Sequence, residues 1–193
     1  MKTSISTEEY DLLVLGSGAG GKVLAGDFAQ KGQRVVVVER KYVGGSCPNI
    51  ACLPSKNIIH SAKVASFLYR SNEFGISKEN VRIDMASVRE RKRKMVRNLV
   101  DIHLEKYRES GAELVMGTGR FVGPKTVEVE PADGGTRTFR GKNVVINTGT
   151  RATLEPIPGL AEVPNRALPA RASEPSGLQT APPAAFRPLA KSH

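Results

Sequence analysis

The sequence predicts an α/β fold with a parallel sheet and a small antiparallel meander, on three observations. An apolar run at residues 10–15 leads through a glycine-rich turn and a helical stretch into four consecutive valines, Val35 to Val38. A long amphipathic stretch, residues 84–110, ends at Gly111. After it come short β-type runs punctuated by Gly123-Pro124 and Asp133-Gly134-Gly135.

Each element follows from its local chemistry. Residues 10–15 read as a buried strand, and 22–31 as a helix with Gly32 at its C′ position. Residues 34–39, apolar without alternation, read as a strand buried on both faces of a parallel sheet. Together they make a β-α-β unit of the usual size, about 30 residues. Residues 41–51 are a Gly/Ser/Pro/Asn loop, 52–69 a helix, and 71–82 irregular. Residues 84–110 form a long helix capped by Asp84 and stopped by Gly111, with Val88, Met95, Leu99 and Ile102 on its inward face. Short strands are expected at 112–116, 120–122, 126–129, 136–140 and 143–147, the last ending in Thr148-Gly149-Thr150. There is no internal repeat.

Composition narrows the function classes. The 193 residues are 39% hydrophobic and 25% charged, ordinary for a soluble domain. No apolar run reaches membrane-spanning length, and the polar start with Glu8 and Glu9 resembles neither a secretory nor a transit signal, so a cytoplasmic location is expected with no membrane partner. The two cysteines lie five positions apart. In a reducing compartment such a pair points to redox or metal chemistry more than to a structural staple. A closed zinc site needs about four ligands. None of His60, His103 and His193 is spaced to complete one, so no metal site is expected and redox chemistry leads. His60 and His103 read as helix-surface or packing residues.

The net charge of +10 invites a nucleic-acid hypothesis, and Arg89, Arg91, Lys92, Arg93, Lys94 and Arg97 hold much of the excess. Aromatics are scarce there and no DNA-reading motif is present. The favoured reading is a solvated helix face, with no nucleic-acid partner.

Gly16-x-Gly18-x-x-Gly21 follows a strand and opens a helix. Gly16 permits the tight turn, Gly18 lets the backbone approach a pyrophosphate, and Gly21 lets the helix pack on the strand. The pyrophosphate then meets free N–H groups and the positive end of the helix dipole. Glu39 ends the second strand, 18 residues after Gly21, where a carboxylate accepts from ribose hydroxyls. This pattern does not separate FAD from NAD.

The segment from Gly44 to Lys56, GGSCPNIACLPSK, is the most informative. Cys47 and Cys52 meet if the loop folds back into the following helix. Cys52 opens that helix, whose N-terminus favours a thiolate, and Lys56 stands one turn on. The opposing reading is two buried, inert cysteines.

This segment resembles the G-G-T-C-x-N-x-G-C-x-P-[ST]-K signature of the pyridine nucleotide–disulfide oxidoreductases, which include dihydrolipoamide dehydrogenase, glutathione reductase and mercuric reductase. Ser46 replaces the usual Thr and Ala51 the usual Gly. The wording is most similar to the mercuric-reductase-like bacterial branch. The resemblance implies a Rossmann-like FAD-binding domain, with Cys47 as the interchange thiol and Cys52 as the thiol against the flavin. It places Lys56 near the flavin N5, and Gly45 and Ser46 along the pyrophosphate. Gly16, Gly18, Gly21 and Glu39 hold the adenosine-diphosphate half. Gly119 gives a backbone contact on the adenine side, and Thr148, Gly149 and Thr150 match the second FAD motif. Intact relatives draw electrons from NAD(P)H, pass them to a small-molecule disulfide or metal-ion substrate, and are homodimers.

The resemblance runs from about Tyr10 to Leu160, leaving the FAD domain incomplete. The expected division is 1–160, the N-terminal part of an FAD domain, and 161–193, a disordered tail. From Pro164 onward 6 Pro and 7 Ala fall within 30 residues with no hydrophobic period, as after a frameshift. No second G-x-G-x-x-G follows, so the NAD(P)H and interface domains of intact relatives are missing. An incomplete sheet implies an exposed edge, uncovered apolar faces and weak FAD retention. The expected function is an inactive fragment of a FAD-dependent disulfide oxidoreductase. The rivals are a non-catalytic FAD- or NAD-binding fragment and a basic interaction protein.

Overall fold

The computed structural model describes residues 6–150 and Pro158. The expected tail, 161–193, lies outside the described residues, as do 151–157, 159 and 160. In chain order the elements are β1 (Thr7–Leu15), α1 (Ala19–Gln30), β2 (Val35–Glu39), α2 (Ser46–Asn49), α3 (Cys52–Tyr69), a 3-10 turn (Ser71–Phe74), α4 (Met85–Ser110), β3 (Glu113–Gly123), β4 (Thr126–Pro131) and β5 (Arg137–Ile146).

β1 is central, parallel to β2 on one side and to β5 on the other. β3 runs parallel to β2 over Glu113 to Met116, then leaves it and pairs antiparallel with β4 from Gly117 to Gly123. β4 in turn pairs antiparallel with Arg137 to Arg140 of β5. The strands therefore close into a hydrogen-bonded circuit, part parallel sheet and part meander.

This changes two expectations. Segments 112–116 and 120–122 form one strand, β3, and segments 136–140 and 143–147 form one strand, β5. The glycines in the gaps between these segments are places of close approach. A Cβ on Gly117 would lie 2.5 Å from the Glu130 carbonyl oxygen, and one on Gly141 would lie 2.9 Å from the Leu13 Cβ. The exposed sheet edge is also much reduced, because the meander joins β3 to β5. Among the described residues, Asn143 to Ile146 pair on one side only, with β1. Uncovered apolar faces are present on α3 and beyond it, at Ile59, Phe67, Tyr69, Phe74 and Ile76.

The valine run explains the two cores. Val36 and Val38 turn into the ring of strands, with Leu13, Val127, Val129 and Phe139. Val35 and Val37 turn outward under the helices, with Leu12, Val14, Ala25 and Tyr107. Successive strand side chains face opposite ways, so a strand buried on both faces needs an unbroken apolar run.

α4 is capped as its sequence indicates: the Asp84 carboxylate accepts from Ala86 N at 2.9 Å, and Gly111 ends the helix in the left-handed region at φ 77°. Its inward face is a correction. Ile102 is 49% exposed, while His103 and Tyr107 are buried. Arg91 and Met95 reach Asn57 of α3, while His103, further along, reaches Lys22 of α1, so α4 packs against more than one element. Arg91 turns to α3, donating to the Asn57 carbonyl at 2.7 Å and Ser61 Oγ at 2.5 Å, and Arg97 pairs with Glu90 at 2.6 Å. Part of the basic face thus ties two helices together.

Candidate functional site

The site forms where three loops meet above β1, β2 and β5. Gly16 has φ 97° and donates its N–H to the Val38 carbonyl at 2.8 Å. A Cβ there would lie 2.3 Å from the Asn147 carbonyl oxygen, so the turn admits only glycine. Gly18 precedes α1 with no side-chain cap, which leaves the first-turn N–H groups facing outward. Gly21 packs α1 onto β1: a Cβ would lie 2.7 Å from the Gly16 carbonyl oxygen and 2.8 Å from Val14 Cγ1. All three glycines stand as their motif requires.

The cysteine loop comes down on this turn. Gly45, at φ 79°, stands so close that a Cβ would lie 2.7 Å from Gly18 Cα. Ser46 starts α2 beside it and is exposed. Ala51, where the related signature carries glycine, has φ −116°. That φ is negative, outside the left-handed region that favours glycine.

Cys47 in α2 and Cys52 at the start of α3 are both free thiols. Hydrogen bonding with Cys52 pushes the Cys47 thiol up, aided by burial and by the charge of Cys52, and the cations Lys56 and Lys22 oppose it. Cys52 is exposed and Cys47 half-buried, contrary to the inert reading of the pair.

Glu39 performs a task not foreseen from its motif position. Its Oε2 accepts from Ser17 N at 2.9 Å and Ser17 Oγ at 2.7 Å, and its Oε1 from Lys41 N at 2.7 Å and Tyr42 N at 2.9 Å. These donors hold its carboxyl below the usual carboxylate range despite burial, which acts the other way. Ser17 Oγ in turn accepts from Gly44 N at 3.0 Å. Glu39 and Ser17 thereby tie the glycine turn to the cysteine loop. Ser17 occupies a free position of its motif, so the pattern carries no signal for it.

Asn147 is a second unforeseen residue. Its Nδ2 donates to the Gly16 carbonyl at 3.0 Å, and its backbone N–H to the Leu15 carbonyl at 2.7 Å. It brings the following Thr148, Gly149 and Thr150, all exposed, beside the glycine turn. A groove of about 660 Å³ opens there, lined by Gly20, Gly21, Val23, Val145 and Asn147. Gly119 lies in β3 against Leu15 and Val38, the residues preceding Gly16 and Glu39. Lys56 is exposed on α3, one turn beyond Cys52. His60 is exposed and His103 buried.

His103 gives a pH prediction. Burial, then Lys22, then Lys106 hold it below the ordinary histidine range. The unfolded chain takes up this proton near pH 6.5, before the folded one does. Stability contributed by neutral His103 is therefore present above that pH and lost as pH falls through the lower folded value. Thermal melts across pH 7 to 5 are expected to show a decline that His103→Gln flattens. An equal decline in both proteins would refute it.

Among the described residues no group of three or more His, Cys, Asp or Glu could hold a metal ion, and no helix is long and apolar enough to cross a membrane. Comparison with known proteins matches residues 10–173 to the family model described as pyridine nucleotide-disulphide oxidoreductase. Dihydrolipoamide dehydrogenase of Chaetomium thermophilum is 34% identical over 154 residues, 79% of this chain and 30% of that protein. Dihydrolipoyl dehydrogenase of Geobacillus stearothermophilus is 39% identical over 143 residues, 74% of this chain and 30% of that protein. A solved copper(II) complex of an HOCl-induced flavoprotein disulfide reductase from Escherichia coli is 25% identical with a TM-score of 0.67, covering 82% of this chain and 32% of that one. The chain thus spans about a third of the length of the relatives it matches.

Proposed function

Since this chain belongs to the pyridine nucleotide–disulphide oxidoreductase family, we propose that it carries the dithiol-bearing, flavin-facing part of a FAD-dependent disulfide oxidoreductase. The observation that carries this reading is the junction of Gly45 on Gly18. It sets the segment that carries Cys47 and Cys52 against the open N-terminus of α1.

The residues present fit the group. Gly18, Gly45 and Ser46 would hold the pyrophosphate against the first turn of α1, where N–H groups and the helix dipole favour an anion. Gly16, Gly21 and Gly119 shape the adenosine side, and Thr148, Gly149 and Thr150 the flavin side. Glu39 would reach a ribose hydroxyl only by sharing an oxygen that a backbone or serine donor already uses. When bound, FAD supplies the two-electron relay between NAD(P)H and the thiols. Cys52 is the thiol we assign to the flavin side, with Lys56 near it, and Cys47 the thiol that exchanges with substrate. We assign a small-molecule disulfide as substrate, in line with the name of the Escherichia coli flavoprotein disulfide reductase. A metal ion is the alternative. Two free thiols suit the reducing cytoplasm, where we place the chain, and homodimerisation is proposed from the family.

The test is flavin binding to the purified chain, followed by flavin fluorescence and the visible spectrum. Binding is expected, with a long-wavelength charge-transfer band on partial reduction that Cys52→Ser removes. No binding, or a band indifferent to Cys52→Ser, refutes the reading. Within this sequence no second dinucleotide turn is present, so we also propose that the chain alone does not turn over NAD(P)H. Oxidation of NADH or NADPH with added FAD is expected at background, and turnover would overturn that.

A further inference from the structure

Lys22 lies in the first turn of α1, and its Nζ stands 3.1 Å from His103 Nε2 on α4. The His103 ring is buried, 9% exposed, under the cysteine loop. Gly44 lies flat on it: a Cβ there would stand 2.3 Å from Cδ2. Gly44 and Gly45 lead directly into α2, which carries Cys47. Asn49 closes the same loop, its Nδ2 donating to the Val43 carbonyl at 2.9 Å and the Gly45 carbonyl at 2.8 Å. α1, α4 and the thiol loop therefore converge, with Lys22 as the cation between the helices.

The hydrogen-bond chemistry is constrained. A charged Lys22 donates only, so Nε2 must offer its lone pair and the imidazole proton must sit on Nδ1. Nδ1 is buried without a partner. A buried polar atom left unpaired calls for a reason, and here the reason is the task of the other nitrogen. Burial, Lys22 and Lys106 keep His103 neutral and so able to accept. The groups facing Cys47 are Cys52 and Lys56 from α3 and Lys22 from α1. Those acting on Lys22 are His103, Lys106 and Cys47.

We propose that Lys22, fixed in place by neutral His103, is a positioning residue for Cys47, holding an ammonium beside that thiol so that its thiolate forms and attacks a disulfide substrate. This rests on the reading of Cys47 as the interchange thiol. The Cys47 proton goes to solvent, and the thiolate attacks one sulfur of the substrate. The substrate S–S bond breaks, the first thiolate leaves and takes a proton from solvent, and a mixed disulfide remains. Cys52, as thiolate, displaces the second thiol. The Cys47–Cys52 pair is then oxidised by two electrons and the substrate reduced by two. Lys56 acts on Cys47 more strongly than Lys22 does, so removing Lys22 is a partial loss.

The test is the pH dependence of Cys47 alkylation by iodoacetamide in the pre-reduced chain, read peptide by peptide by mass spectrometry and needing no flavin. Lys22→Met is expected to raise the midpoint by about half a pH unit to one unit, roughly three- to tenfold slower alkylation at pH 7. Lys22→Arg, which keeps the charge, restores the parent midpoint. His103→Leu shifts it as Lys22→Met does, and His103→Gln, which keeps an acceptor, shifts it less. An unmoved midpoint in Lys22→Met, or an equal rise in Lys22→Arg, overturns the proposal. Should Lys22→Met fail to fold, the two His103 variants decide, and equal midpoints in them overturn it. A flavin band that survives beside an unmoved midpoint rejects this inference alone. A parent that binds no flavin rejects the functional reading instead.

Discussion

Replacing Phe139 with alanine is expected to destabilise the domain by about 3–5 kcal/mol, the cost of deleting a fully buried aromatic ring. Phe139 is 0% exposed at the centre of the strand ring. It meets Tyr10 edge-on with ring centroids 5.5 Å apart, and the Arg137 guanidinium lies 4.6 Å from its own centroid. Its neighbours Val127, Val129, Leu13 and Val36 belong to three further strands. Because the strands close on each other, they cannot collapse freely into the void. Single domains hold only about 5–15 kcal/mol in total, so much of the stability is at stake. Urea unfolding followed by circular dichroism is the measurement, and a midpoint within error of the parent would refute the ring as the principal core. Loss of Arg137 is a related but smaller change. Arg137 binds Glu8 through two nitrogens, at 2.8 and 2.7 Å, and Glu113 at 2.9 Å, which closes one end of the ring with charge.

Gly45→Ala is expected to cut FAD affinity by about a hundredfold, the scale set by an ångström-sized misplacement at a site. The new methyl would lie 2.7 Å from Gly18 Cα, a backbone atom at the head of α1. It would also sit at φ 79° and ψ −167°, a region essentially reserved for glycine, at a cost of about 1–3 kcal/mol. The cysteine loop must then rise from the α1 N-terminus, and the cradle opens. Ala51→Gly is the matched control. Ala51 has a negative φ and the change removes a methyl without adding one, so affinity should stay within about twofold, with a small entropic loss of stability. Fluorescence titration of both variants measures the contrast. Equal affinities in the two would show that the flavin does not lie across the Gly18–Gly45 junction.

Much of this was legible from local chemistry. The glycine turn, the valine strand, Cys52 at the head of α3 and the Asp84 cap all follow from backbone rules that act over a few residues. Strand length was less legible. Gly117 and Gly141 fall in the gaps between the expected segments. Here each marks a point where another backbone or side chain comes too close for a Cβ. The inward face of α4 was misjudged because its neighbours change along its length, which no single helical period encodes.

The residues of the site divide in the same way. Gly16, Gly18, Gly21, Cys47 and Cys52 form motifs whose spacing reports their chemistry. Glu39 was placed at the right strand end, but its four protein donors come from Ser17, Lys41 and Tyr42 across two loops. Asn147 follows a strand 131 positions away from the carbonyl it binds. Lys22 and His103 are 81 positions apart. Contacts of such separation leave no periodic trace in a single sequence.

By itself, then, the sequence determined the β-α-β unit, the glycine turn and the spacing of the two thiols, because each depends on torsions and side chains within a few residues. Tertiary structure alone decided that the strands close into a ring, that Glu39 ties two loops together, and that a buried histidine holds Lys22 toward Cys47. Those outcomes depend on which surfaces exclude water together, and distant residues meet only when the whole chain packs.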